Sequence, residues 1–269
     1  MISKNKAKLI RSLEHKKYRR ELGLFVAEGP KVVGDLLKAK WKPRVLVSTP
    51  EGLLTLDKRN ICWNIEGCEL IDATPEDLRK VSFLQHPQDM IGVFHCSQYS
   101  SQQEERIDQA SAPSPFTKGN DLILALDGVQ DPGNLGTIIR IADWFGIETI
   151  YCSPDSADAF NPKVVQATMG SLARVHIIYK DIALFIDELP DDIPVYGTVL
   201  DGDNIYEKDL QPRGVIVMGN EGNGISERVR QRLTHRLLIP SFPPERPTAE
   251  SLNVAVATAI VCAEFRRNK

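Results

Sequence analysis

The stretch Leu122-Ile123-Leu124-Ala125-Leu126-Asp127-Gly128-Val129-Gln130-Asp131-Pro132-Gly133-Asn134-Leu135-Gly136-Thr137-Ile138-Ile139-Arg140 sets the architecture of the second half of this chain. Its first five residues are apolar without alternation, which is the pattern of a strand covered on both faces rather than one. A turn-forming Asp131-Pro132-Gly133 follows, and then an apolar helical pattern from about Leu135 to Phe145, with Asn134 placed to cap it. Strand, polar glycine-bearing loop, helix is the opening unit of a parallel α/β sheet.

Downstream the alternation continues. Strands are predicted at Thr149 to Cys152, Arg174 to Ile178, Val195 to Leu200, Gly214 to Met218 and Arg236 to Ile239. Helices fall between them at Pro162 to Leu172, Ile182 to Leu189 and Ser226 to Leu233, and a last helix runs from about Ser251 to Arg266. The result is a mostly parallel sheet with helices on both faces. Upstream, residues 98–120 are rich in Ser, Gln, Glu and Pro without apolar periodicity, and this composition reads as a linker. The expected organisation is a small α/β domain over 1–97, the linker, and a larger domain over 121–269.

In the first part the sequence predicts a basic helix near Ser3 to His15 and a strand Leu24 to Glu28 ending at Gly29. A helix from Pro30 to Lys38, strands at Arg44 to Ser48 and Ile91 to His95, and a helix start at Thr74-Pro75-Glu76-Asp77 complete it. Lys4, Lys6, Lys8, Arg11, Lys16, Lys17, Arg19 and Arg20 crowd the first twenty residues against Glu14 alone. Such a block either follows a phosphate backbone or forms a solvated helical face. The net charge of −3 favours neither. No apolar segment follows the basic start and no run is long enough to span a bilayer, so a cytoplasmic protein is expected. The five cysteines (Cys62, Cys68, Cys96, Cys152, Cys262) are scattered without a C-x-x-C pair. That argues against a disulfide framework or a zinc site, and for small buried apolar residues.

Three polar blocks follow predicted strands of the larger domain, and ligands in open α/β sheets bind beyond strand carboxyl ends. The first is 127–140. The second, Val217-Met218-Gly219-Asn220-Glu221-Gly222-Asn223-Gly224, is not a dinucleotide fingerprint, because its order is G-x-x-G-x-G. Its glycines permit close backbone approach to a flat ligand, or simply make a tight turn with Ser226 capping the next helix. The third is Ile239-Pro240 with Ser251-Leu252-Asn253. There Ser251 reads as a helix cap and Asn253 as a first-turn group able to hold a polar ligand or a developing negative charge. Arg140 lies on an otherwise apolar helix and calls for a partner, either Glu221 or an RNA phosphate, with a structural Arg–carboxylate pair as the plain alternative.

These three blocks, in this order, resemble the motifs of the SpoU (TrmH-like) RNA 2′-O-ribose methyltransferases of the SPOUT superfamily. Phe25-Val26-Ala27-Glu28-Gly29-Pro30-Lys31-Val32-Val33 is similar to the RNA substrate-binding domain attached to many of them. The resemblance implies a C-terminal trefoil knot, S-adenosyl-L-methionine held by the knot loops, a homodimer, and an RNA substrate, with ribosomal RNA favoured over tRNA. Residue by residue it implies a catalytic set of Asn134, Arg140, Glu221, Ser251 and Asn253. The implied cofactor contacts are Met218, Gly219, Asn220, Gly222, Ile239, Ser251 and Leu252, with no metal. The segment 241–250 departs from the family by being longer and proline-rich. A guanidinium rarely surrenders its proton, so the expected role of Arg140 is to stabilise the 2′-alkoxide or pass its proton to an RNA phosphate, oriented by Ser251 and Asn253. A tRNA methyltransferase or a non-catalytic RNA-binding protein on the same fold are the competing readings, and a nicotinamide oxidoreductase is a distant third.

Overall fold

The computed structural model describes residues 2–96, 116, 121–243 and 249–267. They form two compact units. The first takes residues 2–96 together with Asp158–Arg174; the second takes the rest. Residues Asp158–Arg174 thus lie inside the 121–269 span in sequence but pack with the first unit. Apart from Phe116, the stretch 98–120 lies outside the described residues. Phe116 itself is buried in the second unit's core, with the Arg213 guanidinium over its ring at 5.5 Å.

The first unit begins with two helices, α1 (Lys4–Ser12), which falls within the helix expected near Ser3 to His15, and α2 (Lys16–Leu22), which had not been expected. The Ser3 side chain caps α1, and Gly23 in the left-handed region ends α2, the role glycine fills without a Cβ clash. A four-stranded sheet follows, in the order β1 (Leu24–Glu28), β4 (Met90–His95), β2 (Pro43–Ser48), β3 (Glu69–Asp72). Strand β4 runs antiparallel to both neighbours, and β2 and β3 are parallel. Helices α3 (Pro30–Lys38), α4 (Pro50–Lys58) and α5 (Pro75–Val81) connect the strands, each starting on a proline. Strand β3 and helix α4 had no sequence reading, since neither carries a strong apolar period: β3 is exposed or half-buried throughout. Helix α7 (Pro162–Ala167) and a 3-10 turn, Ser171–Ala173, replace the single helix expected over 162–172.

Arg19 ties this unit together from inside. It is 3 % exposed and donates to Asp158 Oδ2 from Nη2 at 2.6 Å and from Nε at 3.1 Å. Its Nη1 donates to the carbonyls of Leu13 and Glu14 at 2.8 and 2.7 Å. One member of the basic N-terminal block is therefore a structural cation, its three nitrogens all hydrogen-bonded and its charge paired with a carboxylate.

The second unit is a six-stranded sheet in which every neighbouring pair is parallel. Its order is β10 (His235–Leu238), β8 (Val195–Asn204), β9 (Gly214–Gly219), β5 (Leu122–Asp127), β6 (Thr149–Cys152), β7 (His176–Tyr179). Ile123, Ala125, Val215 and Val217 join Ile182, Phe185 and Ile186 of helix α8 (Ile182–Asp187) in one apolar cluster. The intervening Leu122, Leu124, Leu126 and Ile216 are buried as well, so both faces of the central strands are covered, as the unbroken apolar run predicted. Helices α6 (Pro132–Trp144) and α10 (Val254–Arg266) pack side by side and parallel. Asn253 contacts Asn134 at their amino ends, and Arg266 Nε donates to Phe145 O (3.1 Å) at their carboxyl ends. The chain moves outward from β5 to β6 and β7, then crosses to the other side, where β9 is inserted beside β5. The reversal of strand order therefore falls between β5 and β9, the place where open α/β sheets bind ligands.

Candidate active site

The loops after β5 and β9 flank that switch point, and the backbone there is closely specified. The Asp127 carboxylate accepts from Ser226 N at 2.7 Å. Gly128, at φ +76°, donates its N–H to Ser153 Oγ at 2.8 Å and accepts from Asn220 Nδ2 at 2.7 Å. Asn220 Oδ1 gathers the N–H groups of Gly222 and Asn223 at 2.9 and 3.0 Å, and Asn220 and Gly224 exchange two backbone hydrogen bonds of 2.9 Å. The tight-turn reading of the second block thus holds for Gly219: a Cβ there would stand 2.2 Å from Gly224 C. Gly222 is different, since a Cβ there would meet only Asn220 Oδ1, at 3.6 Å. Its backbone edge is open to a ligand.

Two helix starts differ from the sequence reading. Asp131, not Asn134, caps α6, accepting from Asn134 N at 2.8 Å, with Pro132 in the first turn. Asn253, not Ser251, caps α10, its Oδ1 accepting from Ala255 N at 3.0 Å and Val256 N at 3.2 Å. Ser226 precedes helix α9 (Glu227–Arg230) as expected, but its side chain makes no capping bond. In both displaced cases the polar residue one to three positions away took the cap because its short side chain reaches the N2 or N3 amide.

Freed from capping, the Asn134 amide joins the three blocks. Its Nδ2 donates to Glu221 Oε1 at 2.8 Å, and its Oδ1 accepts from Asn253 Nδ2 at 2.9 Å. Asn253, Asn134 and Glu221 therefore form one hydrogen-bonded chain across residues 119 and 87 positions apart in sequence. Two helix amino termini meet there, and both favour negative charge.

The expected Arg140–Glu221 pair is not formed. Glu221 is bound by Asn134 instead, and Arg140 is exposed, six residues further along α6 and so about 9 Å down the helix axis. Being exposed, its guanidinium needs no buried partner, and among the described residues it makes no hydrogen bond or ion pair. Among the described residues no hydrogen bond joins Ser251 or Asn253 to Arg140; Ser251 is exposed, and the Asn253 amide bonds Asn134 and the helix start.

The residues expected to hold the cofactor differ in exposure. Met218 is buried, with Thr198 Oγ1 at 3.5 Å from its sulfur. Gly219, Asn220 and Ile239 are half-buried, and Gly222, Ser251 and Leu252 are exposed. An open glycine backbone, as at Gly222, and apolar side chains, as at Ile239 and Leu252, are group types that suit a flat purine with a polar edge. These residues fit an adenosyl group. The middle of the 241–250 loop, residues 244–248, lies outside the described residues.

The cysteines divide against a uniform buried reading. Cys152 and Cys262 are buried, Cys68 and Cys96 half-buried, and Cys62 exposed. Burial pushes the Cys262 thiol up to about 12. Burial, then the Asp158 charge, does the same at Cys96, against the opposing pull of Arg19. None of those two is a thiolate nucleophile at neutral pH.

A parallel α/β unit whose three loops meet beside the switch point, with the motifs they carry, is that of a methyltransferase of the SPOUT class. The chain belongs to the SpoU rRNA methylase family, whose model matches residues 121–263, and residues 4–92 match the MRM3-like substrate binding domain. The 23S rRNA (guanosine(2553)-2′-O)-methyltransferase RlmP of Bacillus subtilis is 30 % identical over 264 residues, 97 % of this chain and 96 % of that one. A TrmH-family protein of known structure from Porphyromonas gingivalis is 39 % identical over the full length of both chains, with a TM-score of 0.80. An AdoMet-bound rRNA methyltransferase from Sinorhizobium meliloti is 30 % identical over 99 % of this chain and 97 % of its own, with a TM-score of 0.82.

Proposed function

We propose that the protein transfers a methyl group from S-adenosyl-L-methionine to a ribose 2′-hydroxyl of RNA, with ribosomal RNA as the substrate class. The observation that carries the reading is the Asn253–Asn134–Glu221 chain. It draws one residue from each of three family motifs to the switch point of the sheet. S-adenosylmethionine supplies a methyl group already activated on a sulfonium, so the protein's task is to position the hydroxyl and stabilise the charge it develops.

In this reading Met218, Gly219, Asn220, Gly222, Ile239, Ser251 and Leu252 hold the cofactor. Glu221, Asn134 and Asn253 keep the three loops in register. Arg140, exposed and without a protein partner among the described residues, meets the 2′-oxygen or an adjoining phosphate, for which a guanidinium is well shaped. The hydroxyl proton leaves to that phosphate or to solvent, and Arg140 stabilises the alkoxide.

The reading includes a homodimer. Trp144 is 85 % exposed at the end of α6, and Leu252 and Val256 are 51 % and 50 % exposed at the start of α10. These apolar groups stand at the two opposite ends of the helix pair, Trp144 at the carboxyl end and Leu252 and Val256 at the amino end, and a second copy laid along the pair would cover them. It also includes a trefoil knot, supported by the return of α10 against α6 after β10. The first unit is then the RNA-binding domain and the protein works in the cytoplasm. Among the described residues no helix is long and apolar enough to cross a membrane.

The test is incubation with radiolabelled S-adenosylmethionine and, separately, unmodified ribosomal RNA and tRNA. Label in ribosomal RNA recovered as an alkali-resistant dinucleotide is the expected result. Label in tRNA alone overturns the substrate class, and absence of cofactor binding favours the non-catalytic reading.

A further inference from the structure

We propose that the first unit carries a pocket for one unpaired base of the RNA; this rests on the RNA methyltransferase reading above. The cavity is about 270 Å³ and lies between helix α5 and the loop leading into β4. That is below the roughly 300–1,000 Å³ of clefts that take larger ligands, so it suits a single base rather than the cofactor. Leu78 and Pro87 give it an apolar wall, and Arg79, Gln85, His86 and Gln88 give it a polar rim.

The loop is held at both ends and free in the middle. At its start the buried Glu28 carboxylate accepts from Ser82 Oγ at 2.5 Å and from Phe83 N at 2.7 Å. At its end the Asp89 carbonyl accepts from Thr49 N at 2.9 Å, and the Asp89 carboxylate from Thr49 Oγ1 at 3.3 Å. Gln88 lies so close over Gly29 that a Cβ there would fall 2.0 Å from its Oε1. Between these anchors Gln85, His86 and Gln88 are exposed, as is Arg79, and among the described residues none of their side chains makes a hydrogen bond. Fixed backbone with uncommitted donors and acceptors is how a rigid site reads a ligand.

The chemistry of the rim selects a base. Each glutamine amide offers a donor and an acceptor together, as base edges require, and an imidazole or guanidinium plane can stack on the ring. The surroundings supply the phosphate contacts. Arg11 of α1 donates to Ser82 O at 2.8 Å and lies over the Phe83 ring at 5.1 Å, which places the basic helix α1 against this loop. Lys4 and Lys8 of the same helix are exposed.

Two full-length variants test the pocket, Gln85→Ala/Gln88→Ala and Arg79→Glu, each first checked for an unchanged melting temperature and S-adenosylmethionine affinity. In vitro transcribed ribosomal RNA is the probe, and its retention on filters is measured apart from methyl transfer. Both variants should bind it about tenfold more weakly, equivalent to roughly 1.4 kcal/mol, and raise KM for RNA while kcat holds. The same RNA carrying 4-thiouridine should cross-link to the peptide containing residues 85–88. Parent-like RNA affinity in both variants overturns the pocket. Weaker binding by the variants while the parent methylates nothing keeps the pocket and overturns the proposed reaction. A parent that binds no RNA overturns both.

Discussion

Asn134 is the residue on which the candidate site turns, and Asn134→Asp is the sharpest way to perturb it. The change is isosteric and leaves Oδ1 able to accept from Asn253 Nδ2, a bond of 2.9 Å. On the other side it replaces an N–H donor, 2.8 Å from Glu221 Oε1, with a second carboxylate oxygen. The lost hydrogen bond is worth about 0.5–1.5 kcal/mol. Two like charges near 4 Å add about 1 kcal/mol at the dielectric of water, the proper limit for an exposed pair. The two helix amino termini that meet here favour the new charge by about 0.3–1 kcal/mol each, so the expected loss is roughly 1 kcal/mol at neutral pH, to be read by urea denaturation. The new carboxyl, facing Glu221, has a higher pKa folded than unfolded, so the folded state binds its proton more readily. Its penalty is present above the folded value and disappears as pH falls below the unfolded one, near 4. Asn134→Ala removes the same bonds without adding charge, so its deficit should not shrink on acidification. Turnover should fall about a hundredfold in both variants, as expected when reacting groups are displaced by an ångström. An Asn134→Asp protein with parental stability and parental turnover at pH 7.5 would refute the linkage of the three loops.

Replacing Arg140 by Ala should abolish methyl transfer while S-adenosylmethionine binding, measured by calorimetry, stays at the parental value; normal turnover would remove Arg140 from the reaction. Arg19→Ala strands the Asp158 carboxylate and two carbonyls in the interior. It should cost about 3–5 kcal/mol, read as a lower urea midpoint, and a shift within error would mean that solvent reaches the site. Glu28 has its pKa raised, chiefly by burial, against the lowering by its Ser82 and Phe83 hydrogen bonds and Arg11. The native state then binds this proton more readily than the unfolded chain, so its contribution falls as pH rises from the unfolded value through the folded one. Glu28→Gln should flatten that slope above the ordinary carboxylate range, and an unchanged slope in denaturation curves would assign it to other groups.

Local chemistry accounts for much of what the chain reveals unaided. Leu122 to Leu126 reads as a strand covered on both faces, because an unbroken apolar run of that length followed by Gly and Pro turn residues is too short for a buried helix. The three polar blocks had to lie at strand ends, since each follows such a run, and their order carries the family resemblance. Other features depend on distances between residues far apart in sequence. Whether Asn134 caps a helix or bridges to Glu221 and Asn253 turns on which amide lies nearest, and Asp131 won the cap by three residues. Arg140 looked buried because its neighbours Ile138 and Ile139 are, yet a helix of 3.6 residues per turn shows the next position to solvent. Arg19 looked like one more cation of an RNA-binding face, but the fold brings Asp158, 139 residues away, to its guanidinium. Sequence patterns report the partners a residue has along its own strand or helix; which distant charge or amide it meets is set by how the strands are ordered in the sheet.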